Sequence, residues 1–549
     1  MVNALFVSYS GVPANPTSFL PDNGLASLAA ILINNSHNAH ILDYGTTSML
    51  KRSMPEDIRS ELKDMFHKKN SNQVTDEDNA RIKEIDCLLT AHIDRVLEEI
   101  GQEIIKTISD KGIDFVGFKA WGGDGYNGLL KLSKIIKKSY KNIPILAGGP
   151  QIYSFKDILL DEAKHVDFLC YAEGEPTIIQ FADYIIGKQK LQNVPNLLGV
   201  KNGSSFKTEH QFIRNLDDLP IPIYDAEVYP AADFSRNEKF SMIVIDESRR
   251  CYHRCPFCIE SSKEKEPWRG KSASRIVDEI KNVKNKYGVS LIRFGGQMTP
   301  GYLMEDFSRQ LLEEKIDVHF SSFSHISSMK NADFETMKKA GLYSLFFGVE
   351  SGNQDMLKHP LGKNTKVKDI ETVLKRSHDA GIYTVASIIY PAPGDNLDTM
   401  QQTLDLLQIS GVDSAPVQFA GVYPSTTWAN EFKKYGFDLN PEEYAHQVKD
   451  YKIKNIFPPQ FWEPISVKID GKSFSEYLDD TITMVLELES RGILSDVTDE
   501  QALLAKHAGL TPQQFRDDCT KALYTADSNS IKNLIAVVNG VQNDSASVH

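Results

Sequence analysis

The 549-residue sequence predicts an α/β protein with two strand-and-helix units followed by a mainly helical C-terminal region. Short β-branched runs alternate with segments of helical period, which is the pattern of parallel sheets covered by helices. The alternation occurs in two series, one before residue 190 and one beginning at Ser241. Because a chain of this length exceeds what one hydrophobic core usually serves, two or three domains are expected.

The first series predicts a Rossmann-like domain over residues 1–190, with a helical, charged insertion at about 50–95. Amphipathic helices separate the strands, for example Tyr126–Tyr140, whose apolar residues share one face. Residues 191–240 are predicted to be a linker. The five buried strands are expected at Leu5–Ser8, Ala39–Leu42, Phe115–Phe118, Pro144–Ala147 and Phe168–Tyr171.

The second series predicts a partial (β/α)6 barrel over residues 241–436, and residues 437–549 are predicted to be a helical domain. Six units, without the last two of a closed eight, indicate an incomplete barrel whose site lies at the C-terminal strand ends. Helices are expected near 274–287, 303–314, 333–340, 367–380, 397–409 and 427–434. The six strands are expected at Met242–Asp246, Leu291–Phe294, Val318–Phe323, Leu345–Val349, Thr384–Ile389 and Pro416–Gly421.

Composition narrows the class of protein. No stretch approaches the roughly 18–20 apolar residues that span a bilayer, and the N-terminus is typical of a strand rather than a signal peptide. The formal charge of −13 and the lack of a basic arm argue against a nucleic-acid partner. Few cysteines, scattered outside one cluster, favour a reducing compartment. We therefore expect a cytoplasmic protein with neither a membrane nor a nucleic acid as partner.

Three of the six cysteines lie within one eight-residue segment, as Cys251, Cys255 and Cys258. They are too close to pair efficiently with one another, which indicates a metal centre rather than a disulfide. Three thiolates leave one coordination position open, and an open position marks a catalytic centre. The alternative is a zinc site that adds His253, although His253 lies between the first two cysteines, where reaching the same metal would strain the loop.

This Cys-x3-Cys-x2-Cys segment, which follows the first strand of a six-unit series, resembles that of the radical S-adenosylmethionine (SAM) enzymes. The resemblance implies that Cys251, Cys255 and Cys258 hold a four-iron four-sulfur cluster whose fourth iron is chelated by SAM. It also implies a flavodoxin- or ferredoxin-type electron donor and cleavage of SAM to a 5′-deoxyadenosyl radical. Pro256 and Phe257 supply apolar bulk beside such a cluster, which low-potential reduction needs.

Other strand ends are similar to those of the same family. The segment after the fourth strand resembles the one whose glutamate contacts the SAM ribose or amino group, and the Gly/Pro-rich turn after the fifth resembles the adenine-side turn. Many members have Gly-Gly-Glu after the second strand where this chain has Gly-Gly-Gln, whose amide accepts without a full charge. The resemblance thus implies SAM contacts at Gly295, Gly296, Gln297, Glu350, Ser351, Pro393 and Gly394.

The first domain, which precedes this barrel in the chain, resembles the cobalamin-binding domain of cobalamin-dependent radical SAM enzymes. Glycines follow its third, fourth and fifth strands, where they let backbone amides approach a bulky ligand. A flavodoxin-like scaffold without a ligand is the alternative, and the tRNA methylthiotransferases are disfavoured because only Cys87 and Cys170 lie there. Cobalamin contacts are expected at Ser8, Tyr9, Ser10, Trp121, Gly122, Gly123, Tyr126, Gly148, Gly149, Glu173, Gly174 and Glu175.

The expected cobalamin site has no histidine for the cobalt. Classical cobalamin mutases and methionine synthases use Asp-x-His-x-x-Gly after the first strand, and this chain has Ser8-Tyr9-Ser10-Gly11 there. Cobalamin is therefore expected to bind without a histidine lower ligand. Trp121, Asp124 and Tyr126 are candidates for the lower face of the corrin.

Together the resemblances imply a methyltransferase that moves a methyl group from methylcobalamin to an unactivated carbon of a small-molecule substrate of natural-product type, or of a peptide. One SAM would methylate cob(I)alamin, and a second would give the radical that activates the substrate. Alternatives are a cyclisation, rearrangement or oxidation with the same cofactors and no methyl transfer, and a non-catalytic sensor. Candidate catalytic and pocket residues at the strand ends are His325, Tyr390, Gln418 and Tyr423, with Trp462 as a possible lid.

Overall fold

The computed structural model describes residues 1–70, 75–201, 203–262, 266–451 and 462–540, and it confirms the predicted α/β fold class. The first sheet has the strand order β2-β1-β3-β4-β5-β6-β7, in which the first five strands run parallel and the last two antiparallel. Its strands are β1 (Asn3–Ser8), β2 (Asn38–Asp43), β3 (Phe115–Lys119), β4 (Ile145–Gly148), β5 (Phe168–Cys170), β6 (Leu197–Lys201) and β7 (Ser204–Lys207).

Helices cover both faces of this sheet, and the insertion is longer than the sequence suggested. The helix α4 starts at a capping box of Thr75 and Asp78 and ends at Gly112, whose φ of 57° is the left-handed C-cap that glycine favours. The helices are α1 (Asn23–Asn34), α2 (Thr47–Arg52), α3 (Glu56–Asn70), α4 (Asp76–Lys111), α5 (Asp124–Ser139), α6 (Pro150–Phe155) and α7 (Glu175–Ile185).

The second sheet forms a partial barrel of six parallel strands in the order β15-β14-β13-β12-β11-β8, so that its first and last strands are both edges. Its strands are β8 (Met242–Ile245), β11 (Leu291–Phe294), β12 (His319–Ser324), β13 (Leu342–Glu350), β14 (Tyr383–Ile389) and β15 (Val417–Gln418). A short antiparallel pair, β9 (Ser248–Arg249) and β10 (Arg269–Gly270), stands beside it.

A helix follows each barrel strand, and the C-terminal region is mainly helical. The barrel helices are α8 (Ala273–Tyr287), α9 (Gly301–Glu313), α10 (Phe334–Lys339), α11 (Gln354–Lys358), α12 (Val367–Asp379), α13 (Leu397–Ile409) and α14 (Thr427–Asn430). After them come β16 (Phe437–Leu439), α15 (Pro441–Asp450), β17 (Val467–Ile469), β18 (Lys472–Ser473), α16 (Phe474–Ser490), α17 (Asp499–His507), α18 (Pro512–Tyr524) and α19 (Ser528–Val538). Among the described helices, none combines the length and apolar composition needed to cross a membrane.

The N-terminus of α17 lies against the barrel near the beginnings of its strands. Ser344 Oγ donates to the backbone carbonyl of Asp499 at 2.7 Å, and Arg293 Nε lies 3.2 Å from the Glu500 carboxylate. The rings of His319, at the start of β12, and His507 are 5.0 Å apart. A helix from the C-terminal region thus closes the lower end of the barrel.

An aromatic cluster holds the barrel sheet to its helices. Phe294 on β11 is fully buried, with ring centroids 4.9 Å from Phe307 of α9 and 5.5 Å from Phe320 of β12. Edge-on and tilted aromatic contacts of this kind add to the gain from burial. This cluster fixes the spacing between β11, β12 and α9. It thereby also fixes the position of the end of β11, which is followed by Gly295–Gln297.

Phe294→Ala is expected to lower the free energy of unfolding by about 3–5 kcal/mol, because it removes a buried ring and leaves a cavity among rings that cannot collapse fully. Chemical denaturation followed by circular dichroism measures the change. Leu486→Ala is the control, since Leu486 is 64% exposed and should change stability by no more than about 0.5 kcal/mol. Equal effects of the two substitutions would contradict the assigned core.

Candidate active site

The three clustered cysteines lie at the carboxyl edge of the barrel, directly after β8 and β9. The loop turns tightly, because the Cys258 backbone N–H donates to the Cys255 carbonyl at 3.0 Å. Cys255 is buried, whereas Cys251 and Cys258 are partly exposed. Burial raises the pKa of the Cys255 thiol to about 12, so thiolate formation there depends on a metal to offset the desolvation.

The donor set does not suit a single metal ion. Across the residues that the structure describes, no group of three or more His, Cys, Asp or Glu side chains converges as one ion requires. His253, the fourth ligand of the zinc alternative, instead stacks on His325, with ring centroids 3.5 Å apart and planes at 19°. A set of three thiols without a fourth protein ligand suits a cluster, in which each thiolate binds a different iron.

Apolar side chains pack against the cysteine loop. The Trp428 backbone N–H donates to the Pro256 carbonyl at 3.1 Å, and the Trp428 ring lies 5.6 Å from that of Phe257. A Cβ on Gly362 would come within 2.4 Å of the Pro256 ring, so only glycine fits opposite this proline. The contacts give the loop the dry shell expected from Pro256 and Phe257.

A buried ion pair stands at the end of the fourth barrel strand. Lys363 Nζ lies 2.7 Å from Glu350 Oε1 and also donates to the Gly348 carbonyl, and both charged side chains are almost inaccessible. Glu350 has a φ of 66°, a conformation that L-residues rarely adopt and that is common at functional sites. Lys363 was not predicted from the sequence, since a lysine in a loop carries no signal by itself and its burial beside a carboxylate is visible only in three dimensions.

The Gly-Gly-Gln turn is held by two neighbours. Gln297 Oε1 accepts from the Arg250 backbone N–H at 2.8 Å, which ties the turn to the residue before Cys251. The Glu247 carboxylate accepts from the Gly296 N–H at 3.0 Å and from the Thr299 hydroxyl at 2.6 Å. A Cβ on Gly296 would collide with that carboxylate. Glu247, which was not predicted to belong to the site, thus fixes the turn from inside the barrel.

His325 presents a donor without an acceptor. Its Nδ1 accepts from the Ser327 backbone N–H at 3.1 Å, which leaves the proton on Nε2. Burial, and then the Lys363 charge, lower the pKa of His325 to about 2, so that the ring is neutral. Within the described part of the chain the buried Nε2 has no hydrogen-bond partner. A buried donor of this kind fits a ligand acceptor.

The remaining predicted barrel residues differ in exposure. Tyr390 is buried and its carbonyl accepts from Thr481, whereas Tyr423 is 42% exposed. Gln418 is exposed. The ring of Phe419, the next residue in the chain, lies 6.4 Å from the Trp462 ring.

The turn after the fifth barrel strand and the segment after the fourth are held by hydrogen bonds. Gly394, which follows Pro393, has a φ of 89°, and its N–H donates to Asp470 at 2.6 Å. Ser351 is buried and accepts from the Asn353 N–H. Both segments stand at the same barrel edge as the cysteines.

The carboxyl edge of the first sheet contains a cavity of about 190 Å³ between the strands and the helices α1 and α7. Gly149, on its wall, has a φ of 120°, and a Cβ there would lie 3.1 Å from the Ala120 carbonyl. Glycines on this wall leave backbone rather than side chains facing the cavity. Its lining includes Gly117, Gly148, Gly149, Cys170, Gly174 and Glu175.

Three helices begin at this edge without side-chain caps. The N-cap positions of α5, α6 and α7 are Gly123, Gly149 and Gly174, and none supplies a capping oxygen. By contrast α1 is capped by Asp22. In α6, however, Pro150 has no N–H and the Gln151 N–H donates to the Ala120 carbonyl. The starts of α5 and α7 are therefore the ones left to offer N–H groups to acceptor oxygens of a ligand.

Two of the predicted cobalamin contacts are core residues instead. Tyr126 is completely buried, and Tyr9 is 2% exposed with its ring against Gly128, so neither offers surface to a ligand. Their aromatic rings fill the space between the sheet and its helices. Trp121 remains partly exposed, and its Nε1 donates to Ser8 Oγ at 3.1 Å.

Two further predicted contacts, Ser10 and Gly122, lie in the loops after β1 and β3. Ser10 is partly exposed. A Cβ on Gly122 would lie 3.4 Å from Gln151 Oε1.

Glu173 and Glu175 lie at the junction between the two sheets. Arg269 lies 2.7 Å from the Glu173 carboxylate, and Arg249 lies 2.5 Å from that of Glu175. All four side chains are largely buried. The two glutamates therefore join the two sheets, and Glu175 also lines the cavity.

Residues 248–407 match the family model of the radical SAM superfamily. Over 341 residues the chain is 25% identical to an uncharacterized methyltransferase of Pyrococcus horikoshii, covering 61% of this chain and 72% of that one. Over 405 residues it is 22% identical to the cytidylyl-2-hydroxyethylphosphonate methyltransferase of Streptomyces wedmorensis, covering 66% and 74%.

Two solved structures share the fold. TsrM of Kitasatospora setae, a radical SAM methyltransferase with cobalamin and a [4Fe-4S] cluster bound, has a TM-score of 0.62 at 11% identity, covering 96% of this chain and 99% of that one. The cobalamin-dependent SAM radical enzyme OxsB with aqua-cobalamin has a TM-score of 0.55 at 17% identity over 82% of this chain, which spans 55% of OxsB. Their bound groups agree with the predicted cofactors. Residues 248–407 therefore form a radical SAM domain, in a chain whose fold confirms the predicted resemblance to cobalamin-dependent radical SAM enzymes.

Proposed function

We propose that the protein is a cobalamin-dependent radical SAM methyltransferase that transfers a methyl group to an unactivated carbon of a small-molecule or peptide substrate. The observation that carries the proposal is the meeting of two carboxyl edges. The three-cysteine loop of the barrel stands against the glycine-lined edge of the first sheet, joined to it by the Arg249–Glu175 contact at 2.5 Å. A substrate at this junction has access to both groups.

The barrel residues fit a cluster with SAM. When bound, the cluster would deliver the electron that cleaves SAM to a radical, and cobalamin would carry the methyl group. Cys251, Cys255 and Cys258 hold the cluster, and the electron comes from a flavodoxin- or ferredoxin-type donor. Pro256 and Phe257, packed under Trp428, exclude water from one side of the loop.

SAM meets acceptors and a donor at the strand ends. The Glu350 carboxylate accepts a hydrogen bond from the SAM ammonium or ribose. This contact replaces the present ion pair with Lys363, whose Nζ lies 2.7 Å from Glu350 Oε1. The neutral His325 ring, held by Ser327, offers Nε2–H to an acceptor of SAM or substrate. Gln297 is engaged with Arg250 and so acts on the cysteine loop rather than on the ammonium.

The first domain fits cobalamin through backbone rather than side-chain contacts. The cavity of about 190 Å³ between α1 and α7 has room for one part of the cofactor rather than for a whole corrin, and the starts of α5 and α7 offer N–H groups to phosphate or amide oxygens. Ser8 and Ser10 stand where a histidine ligand of the cobalt would be, and Trp121 remains available beside the corrin.

The test uses the reconstituted protein with SAM, hydroxocobalamin and a low-potential reductant. Methylation of the corrinoid releases S-adenosylhomocysteine, and radical formation releases 5′-deoxyadenosine, so both products are expected. Trideuteromethyl SAM then identifies the substrate in fractionated cell extract by the added label. Deoxyadenosine without adenosylhomocysteine supports a radical rearrangement instead, the second candidate, since OxsB shares the fold and binds both cobalamin and SAM. Absence of both products overturns the proposal.

Replacement of Cys251, Cys255 or Cys258 by alanine is expected to reduce bound iron and sulfide to background after anaerobic reconstitution, because two thiolates do not retain the cluster. Iron and sulfide assays and the visible absorption spectrum measure the loss. Cys87→Ala is the matched control, since Cys87 is exposed and distant in sequence. Stoichiometric zinc in place of iron would favour the zinc alternative.

Glu350→Gln is expected to weaken SAM binding about tenfold, because a neutral amide replaces a charge-assisted acceptor. Calorimetric titration of the cluster-loaded protein with SAM gives the dissociation constant. Asp355→Asn, an exposed acid in the following helix, serves as the control. Unchanged SAM affinity together with an intact cluster would remove Glu350 from the SAM site.

A further inference from the structure

Two consecutive arginines precede the first cluster cysteine, and both reach acidic or phenolic groups at the junction. The Arg249 guanidinium lies 2.5 Å from Glu175, the first residue of α7, and 3.5 Å from Glu173, which precedes that helix. It also lies 3.4 Å from Asp246 at the end of β8. Arg249 therefore connects the carboxyl edges of the two sheets.

The Arg250 guanidinium donates hydrogen bonds to three side chains. Its Nη1 donates to the Tyr153 hydroxyl at 2.6 Å and to Glu260 at 3.0 Å, and its Nε donates to Glu266 at 2.5 Å. Tyr153 belongs to α6 of the first domain, whereas both glutamates follow the cysteines in the chain. The guanidinium thus joins the first domain to both flanks of the cluster loop.

The backbone of Arg250 requires this support. Its φ of 72° lies in the left-handed region, where residues other than glycine are strained. The side chain is buried, and the backbone N–H is fixed by Gln297 Oε1 at 2.8 Å. Since Arg250 is bonded directly to Cys251, its φ and ψ set the direction in which the first thiol leaves the barrel edge.

The other end of the network reaches the expected cobalamin site. Glu175 lines the cavity of about 190 Å³, and Tyr153 lies one turn into α6, whose N-cap Gly149 lines the same cavity. A ligand seated there touches α7, which holds Arg249, and Gly149 at the N-cap of α6, the helix that holds Arg250. The path from the cavity wall to Cys251 thus runs through the Glu175–Arg249 ion pair and the short backbone segment that follows it.

We propose that Arg249 and Arg250 are positioning residues that couple occupancy of the cobalamin site to the geometry of the Cys251 thiolate. The inference rests on the proposed function. It adds that the geometry of the cluster loop depends on whether cobalamin is bound. Cobalamin in the first domain orders α6 and α7, which fixes the arginines and thereby the cluster loop. Because coupling between two binding sites is reciprocal, an assembled cluster strengthens cobalamin binding by the factor by which cobalamin strengthens cluster binding.

The test compares the reduced cluster of the full chain by electron paramagnetic resonance, with and without hydroxocobalamin. In the unsubstituted protein hydroxocobalamin is expected to shift or sharpen the signal, and the assembled cluster is expected to lower the hydroxocobalamin dissociation constant several-fold. Tyr153→Phe removes the hydroxyl that links Arg250 to the first domain, so both effects should fall at least twofold. Tyr302→Phe, an exposed tyrosine near the loop, should change neither.

Arg250→Gly distinguishes the role of the backbone conformation from that of the guanidinium contacts. Glycine adopts a φ of 72° without strain but has no guanidinium. Cluster loading should persist, while the response to hydroxocobalamin disappears. If Arg250→Gly does not fold, the Tyr153→Phe variant alone tests the coupling between cobalamin binding and the cluster. A protein that binds hydroxocobalamin with no change at its cluster, or variants that respond as fully as the unsubstituted chain, would overturn the coupling. Failure to bind hydroxocobalamin at all would instead count against the proposed function.

Discussion

The arrangement of this protein depends on buried charge at the junction of its two sheets. Arg249, Arg250 and Arg269 meet carboxylates from both domains where water is largely excluded, so each pair is strong only if its geometry is kept. Arginine suits this place because its planar fork binds several acceptors at once. These ion pairs fix the carboxyl edges of the two sheets against each other. The loops that follow the strands of one sheet therefore face the loops of the other, and a ligand bound at one edge lies near the other.

Backbone conformation matters as much as side-chain chemistry at these edges. Glycines line the cavity at the edge of the first sheet, while Arg250 and Glu350 at the barrel adopt left-handed conformations without being glycine. Such strain persists only where the surroundings determine it fully. Arg250 is held by hydrogen bonds to Gln297, Tyr153 and two glutamates, and Glu350 by its ion pair with Lys363, which explains how a charged residue occupies each position.

The sequence sufficed for the parallel strands of both sheets and for the cysteine loop, because buried parallel strands are continuous apolar runs and the cysteine spacing is a local signal. It did not indicate β6 and β7, which are short and lie in the predicted linker, although Asn202-Gly203 is a hairpin signal. Lys363, Glu247 and Tyr153 escaped notice because their roles come from neighbours distant in the chain. Tyr126 was assigned to the cofactor because it lies near a glycine-rich turn, yet the first turn of α5 directs it into the core.

The closure of the barrel by α17 has a consequence for how the chain can be divided. Arg293 is largely buried, and its counter-charges come from Asp499 and Glu500, about two hundred residues later in the chain. A version shortened to the matched radical SAM segment would lose both partners of Arg293 and would expose the buried groups that α17 covers, Ser344 among them. The C-terminal helices are thus part of the barrel's folding unit, and transplanting this barrel into another protein requires that they travel with it.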